Sequence, residues 1–139
     1  MIVLDTNVIS EPAKAQADPA VQAWLDRQAA ETLYLTATSL SELLLGIEIL
    51  PAGARKRRLA TAMVRLLNDH FGDRILAFDR EAAAAYAVLV RKARVNGFAI
   101  SVPDAQIAAI AAVHGFAVAS RDIAPFLAAG VPVINPWES

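Results

Sequence analysis

Five short, mostly apolar runs alternate with longer stretches of helical periodicity, and this alternation constrains the fold more than any other feature of the chain. Ile2-Val3-Leu4 is too short for a helix and apolar throughout, as expected of a strand buried on both faces. Leu33-Tyr34-Leu35-Thr36, Arg74-Ile75-Leu76-Ala77-Phe78 and Phe116-Ala117-Val118-Ala119 are further strand candidates, and Val131 to Ile134 is a fifth. Strands that alternate with helices imply right-handed crossovers. The expected architecture is an α/β fold with a mainly parallel central sheet of four or five short strands and helices on both faces.

Local signals set the helix boundaries. Asp5-Thr6-Asn7 ends the first strand, because Asp and Asn compete for backbone hydrogen bonds, and a short helix is expected over Val8 to Pro12. Asp18-Pro19 opens the next, with Val21, Trp24 and Leu25 at helical spacing. Thr38 or Ser39 caps a third, which holds Leu40, Leu43, Leu44 and Ile47 and carries Glu42 in its first turns, toward the positive end of the helix dipole. Pro51-Ala52-Gly53 breaks that helix. Arg55 to Arg58 opens another, running to about Asn68 with Leu59, Met63, Leu66 and Leu67 inward. Asp79 caps the longest, Arg80 to about Asn96, where Asn96-Gly97 suits a left-handed terminus. Ser101-Val102-Pro103-Asp104 begins an Ala-rich helix that ends at His114-Gly115.

Composition narrows the class. With 139 residues, 56% hydrophobic and 19% charged, residues 1 to 139 are expected to form a single compact domain. No apolar run approaches the roughly 18 to 20 residues needed to span a bilayer, and Met1-Ile2-Val3-Leu4-Asp5 lacks the basic start of a signal peptide. A cytoplasmic protein with no membrane association is the default expectation. The absence of cysteine excludes disulfides, thiolate catalysis and Cys-rich zinc sites, and leaves oxygen as the main metal ligand. His70 and His114, the only histidines, each fall in the last turn of a predicted helix, where imidazole faces solvent or the terminal carbonyls.

Four acids occupy suggestive places. Asp5 closes the first apolar run, Glu42 lies within a helix, Asp104 follows Pro103, and Asp122 lies just beyond the run Phe116 to Ala119. Three of them stand where a strand ends or a helix begins, the junctions that form the ligand crevice of an open α/β sheet. Singly, each has a plainer use as a helix cap, a turn cap or a solvated helical acid. Together they are harder to dismiss, because Glu42 is embedded among Leu40, Leu43, Leu44 and Leu45 and Asp104 precedes an almost wholly apolar helix. Burying such charges without a counter-ion costs several kcal/mol.

The residues around these acids carry a family resemblance. Ile2-Val3-Leu4-Asp5-Thr6-Asn7-Val8-Ile9-Ser10, Ser41-Glu42-Leu43 with Gly46, Pro103-Asp104-Ala105-Gln106-Ile107-Ala108 and Ser120-Arg121-Asp122 resemble the successive acidic motifs of PIN-domain ribonucleases, most closely the VapC/FitB-type toxins of toxin-antitoxin pairs. The resemblance runs from residue 2 to Asn135-Pro136-Trp137, and its ordered set of motifs is far more specific than any one of them. It implies a three-layer α/β/α sandwich and a metal-dependent endoribonuclease. Asp5, Glu42, Asp104 and Asp122 become the catalytic and metal-binding acids, with Asn7 and Ser120 as supporting or substrate-orienting residues. Where the family often has Thr in the last motif and a further acid before Phe, this chain has Ser120 and Pro125, so Asp122 is the only acid there.

An oxygen donor set suits magnesium or manganese, which polarise a phosphoryl oxygen and acidify the attacking water. The resemblance implies in-line hydrolysis of RNA to a 5′-phosphate and a 3′-hydroxyl, with no covalent intermediate. It also implies a homodimer and a cognate antitoxin protein, for which Leu44, Ile47, Ile49 and Leu50 offer a candidate apolar groove unless they are buried within the chain.

RNA contacts are less legible. A net charge of -1 gives no long-range capture by the whole molecule, so binding falls to local basic surface. Arg55, Lys56, Arg57 and Arg58 with Arg65, and Arg91-Lys92 with Arg94, are the candidates, with a solvated helix face as the alternative for each. Trp24, Tyr34 and Tyr86 fit core or interface positions, and Trp137 fits a docked C-terminus. Two competing functions remain open. A phosphatase using Asp5 as nucleophile would resemble the haloacid dehalogenase family, but the second Asp it needs is Asn7 here. A degenerate PIN-like module that binds RNA or protein without cutting is the other.

Overall fold

A computed structural model of the chain covers Met1–Ser139. Ile2–Leu4 (β1), Leu33–Thr36 (β2), Ile75–Leu76 (β3), Ala117–Ala119 (β4) and Val133–Ile134 (β5) form one sheet in the order β3-β2-β1-β4-β5. Every neighbouring pair is parallel. The α-helices are Thr6–Ser10 (α1), Pro19–Asp26 (α2), Ala37–Glu48 (α3), Ala54–Arg65 (α4), Arg80–Val95 (α5), Val102–His114 (α6) and Ala124–Ala129 (α7).

Adjacent strand residues face opposite sides of the sheet, and both sides are covered. Val3 and Val118 pack with Ile107, Ala108, Ala111, Phe126, Ala129 and Val131. Their neighbours Leu4 and Ala119 join Val8, Val21, Trp24, Leu35 and Phe71 in a second core. Two cores on the two faces of one sheet give the three layers, and strands buried on both faces are apolar without alternation for the same reason. Within α6, Ala105 and every residue from Ile107 to Ala111 are buried. Its alanines leave room for the close packing of α5.

The winding order locates the crevice. From β1 the chain moves outward to β2 and β3, then returns to the other side of β1 as β4 and β5. The order therefore reverses between β1 and β4, and a doubly wound sheet opens its ligand crevice at the carboxyl ends of such a pair. Leu4 is in register with Ala119, and the Asp5 N–H donates to the Ala119 carbonyl at 2.9 Å. Asp5 and Ser120 consequently emerge side by side.

Several boundaries differ from those expected. The first helix starts at Thr6 rather than Val8, because Asp5 itself caps it by accepting from the Thr6 N–H at 2.8 Å. The cap of α3 is Thr36, whose hydroxyl accepts from the Ser39 N–H at 3.0 Å, not Thr38 or Ser39. Strand β2 thus runs into α3 without a connecting loop. After α4 the backbone continues as a π-helical turn over Leu66–Phe71, and β3 shrinks to Ile75–Leu76. The helix α7 was not anticipated; Pro125 in its first turn and the left-handed Gly130 at its end delimit it. No helix is long and apolar enough to cross a membrane.

Candidate active site

The four acids stand on different elements. Asp5 follows β1, Glu42 projects from the middle of α3, Asp104 lies in the first turn of α6, and Asp122 follows β4. The Ser101 hydroxyl caps α6 by accepting from the Asp104 N–H at 3.3 Å, which orients that turn. Burial separates the four. Asp5 is 7% exposed, Asp104 is half-buried, and Glu42 and Asp122 are exposed.

Glu42 therefore departs from expectation. The leucines beside it do not enclose it, since Leu44 and Leu45 are 45% and 61% exposed on an uncovered side of α3. The cost of burying a charge bears on Asp5 and partly on Asp104, and not on Glu42.

Both oxygens of Asp5 are engaged. Oδ1 accepts from the Thr6 N–H at 2.8 Å and Oδ2 from the Ser120 hydroxyl at 2.7 Å. Ser120, fully buried, also accepts from the Asp122 N–H at 3.1 Å and from Asn7 Nδ2 at 3.5 Å. Asn7 Oδ1 accepts in turn from the Arg121 N–H at 3.4 Å. Asn7 and Ser120 thus tie the end of β1 to the turn after β4. On the other side of Asp5, the Thr6 hydroxyl donates to Glu42 Oε1 at 2.9 Å. Neither Thr6 nor Arg121 stood out in the sequence, although Thr6 lies within the first motif and Arg121 within the last.

The carboxylates feel one another. Burial raises the pKa of Asp5, the hydrogen bonds from Ser120 and Thr6 oppose that rise, and the charges of Asp104 and Glu42 add to it. Burial likewise raises Asp104, the Ser101 hydrogen bond opposes it, and Asp122 and Glu42 add to it. All four acids share one electrostatic field, and the chain's one contact ion pair, Lys14 with Glu11 at 2.9 Å, does not include any of them. As the side chains stand, no three His, Cys, Asp or Glu groups converge closely enough to hold a metal ion. The Asp5 oxygens and one Glu42 oxygen are turned instead to hydroxyl and N–H donors of the protein. By chemistry the donor set still suits a hard divalent cation, being made only of carboxylate oxygen.

An apolar groove of about 810 Å³ runs from this site between α1, α3 and α4, with Thr6 and Glu42 at one end and Ile47, Leu50, Leu59 and Met63 along it. Of the residues expected to form such a groove, Ile47 and Leu50 line it, while Leu44 and Ile49 lie exposed outside it. The basic run on α4 does not act as a unit. Arg55 lines the groove, Arg57 and Arg58 face solvent, and Lys56 Nζ donates to the carbonyls of Glu48 and Leu50 at 2.7 and 3.3 Å, closing the end of α3. His70 and His114 are exposed away from the acids, His114 resting on Phe116 with ring centroids 5.4 Å apart.

Comparison with known proteins gives this geometry its context. The family model of the PIN domain matches residues 2–130. Over 139 residues the chain is 48% identical to the plasmid stability protein StbB of Pseudomonas syringae pv. tomato, covering 100% of both. It is 48% identical to VapC ribonuclease Y4jK of Sinorhizobium fredii and 44% identical to toxin FitB of Neisseria gonorrhoeae, covering 99% of each chain in both cases. Among solved structures, that of FitAB bound to the IR36 DNA fragment superposes with a TM-score of 0.95 at 44% identity, over 99% of this chain and 96% of the other. The chain belongs to the PIN-domain family, in the group that includes the VapC and FitB proteins.

Proposed function

We propose that this protein is a magnesium- or manganese-dependent endoribonuclease and the toxin of a toxin-antitoxin pair. The observation that carries the proposal is the hydrogen-bonded cluster at the reversal point between β1 and β4, where Ser120 joins Asp5 to the Asp122 turn and Thr6 bonds Glu42, with Asp104 near enough for its charge to act on Asp5. The names VapC ribonuclease and toxin FitB, borne by relatives at 48% and 44% identity, support it.

Asp5, Asp104 and Asp122 would hold the divalent ion, which when bound supplies Lewis-acid polarisation of a phosphoryl oxygen and a lowered pKa for the attacking water. Glu42 is exposed at the mouth of the site and anchored by Thr6, a position from which it can accept a proton from that water. Ser120 and Asn7 fix the direction of Asp5 relative to the Asp122 turn. In-line attack then breaks the bond from phosphorus to the 3′ oxygen. The 3′ oxygen leaves and takes up a proton to become a 3′-hydroxyl, and the oxygen of the attacking water stays on phosphorus as part of the 5′-phosphate of the other fragment.

The phosphatase alternative lacks its acid, because Asn7 occupies that place and its amide is committed to Ser120 and the Arg121 N–H. The groove between α1, α3 and α4 is suited to an apolar segment of an antitoxin, and its opening beside Glu42 would let that segment cover the acids. A homodimer is the expected assembly.

The deciding experiment maps RNA termini after a brief pulse of expression, beside an Asp5→Asn control. New 5′-phosphate ends should appear with the parent and vanish with the variant. Equal cutting by the variant removes the proposal.

A further inference from the structure

A strand of RNA must approach four carboxylates on a chain of net charge -1, so the site needs a cation at its edge. Arg121 lies between Ser120 and Asp122 in the turn that follows β4. Its backbone N–H is bound to Asn7, while its guanidinium lies over the Trp137 ring, 5.3 Å from the centroid. Arg121 follows β4, the neighbour of β1, and Trp137 follows β5, the next strand out and parallel to β4, so the pair sits at the carboxyl edge of the sheet. The indole is itself fixed, packed against the second core with its backbone N–H bound to Asn135 Oδ1 at 2.9 Å.

This arrangement leaves the guanidinium free in the directions that matter. The stacked face is occupied, whereas the in-plane N–H groups make no hydrogen bond or contact ion pair within the chain. A planar fork of donors with a supported face matches a phosphate better than a mobile ammonium does. Glu11, only 4% exposed, feels the charge of Arg121 but is committed elsewhere, to Lys14 at 2.9 Å and the Asp18 N–H at 3.2 Å. Lys14 makes the contact ion pair with Glu11, whereas Arg121 acts on it only through space.

We propose that Arg121, held by Trp137, binds a backbone phosphate of the RNA beside the acid site and so positions the strand for cleavage. This rests on the endoribonuclease reading above and adds to it a residue outside the acidic set.

The test uses a labelled single-stranded RNA oligonucleotide of mixed sequence, bound to full-length protein in magnesium at several salt concentrations, with Asp5→Asn in every sample to prevent cutting. Adding Arg121→Ala should weaken binding about tenfold and flatten the salt dependence by about 0.7 in slope, as expected for one phosphate contact on a single strand. Arg121→Lys should keep the slope and recover part of the affinity. Trp137→Phe, which retains an aromatic face, should bind nearly as the reference, and Trp137→Leu should lose affinity without a change in slope, because the charge remains but its placement does not. Unchanged affinity and slope in Arg121→Ala would overturn the proposal. Parental cutting by Asp5→Asn alone would instead overturn the nuclease reading, so the two failures are distinct.

Discussion

Ser120 donates a 2.7 Å hydrogen bond to Oδ2 of Asp5, a buried contact between residues 115 positions apart. It joins the ends of the two strands between which the sheet reverses direction, and the same hydroxyl receives the Asp122 N–H. One small side chain thereby sets the relative positions of two of the four acids.

Removing that hydroxyl should therefore matter more for activity than for fold. Ser120→Ala is expected to lower RNA cleavage roughly 10- to 100-fold, the range seen when a supporting partner of a metal-binding group is lost, while circular dichroism stays parental. Ser120→Thr, which keeps the donor, should restore most of the rate. Full activity in the alanine variant would show that Asp5 needs no such support.

Asp104 separates an active-site role from that of a plain first-turn helical acid. Asp104→Asn removes one charge from a set of mutually repelling carboxylates, so the metal-free protein should melt a few degrees higher. Cleavage should be lost and the stabilisation by manganese reduced. The Ser101 hydroxyl already caps α6, so an Asp104 that is only a first-turn helical acid predicts near-parental melting, metal response and activity.

The raised pKa values of Asp5 and Asp104 fix the sign of a pH effect in the metal-free protein. Both lie above their ordinary 3.8, so just above that pH the folded chain binds more protons than the unfolded chain and loses stability as pH rises. The melting temperature of an Asp5→Asn, Asp104→Asn double variant should stay closest to the parent below pH 3.8, pull ahead as pH rises through the raised folded-state pKa values, and then hold a constant lead. A gap that does not vary with pH would contradict the shared field of these acids.

Metal choice follows from an oxygen-only donor set. Magnesium and manganese should support cutting, and calcium, with its looser geometry and higher coordination number, should bind with little turnover. Chelation should abolish activity reversibly. Full cutting in excess chelator would mean that the acids act without an ion.

On α4 two adjacent basic residues should behave differently. Arg55→Ala, in the groove, should flatten the salt dependence of RNA binding by about 0.7 in slope. Lys56→Met should leave that slope alone and cost about 1 kcal/mol of stability by uncapping α3. Thermal melts and binding titrations on the same two proteins decide it.

The strand-helix alternation was legible in the sequence because it depends on local pattern, on apolar runs of strand length and on caps, and the four acids stood out as candidates because their motifs keep their order along the chain. Ile2-Val3-Leu4 could be read as a doubly buried strand, and Asp79 as a cap whose carboxylate does accept from the Ala82 N–H at 2.9 Å. The sequence likewise put Asp5 and Asp122 at strand ends. It could not show that Leu44 and Leu45 stand in solvent beside Glu42, since an apolar cluster on a helix looks the same whether or not another element covers it. Nor could it divide Arg55 from Lys56, which differ only in the side of α4 they occupy. Which strands are neighbours, and hence that Asp5 meets Ser120 and that Arg121 meets Trp137, was decided by the tertiary structure, because pairing at long range depends on the winding of the whole sheet and not on any stretch of residues within it.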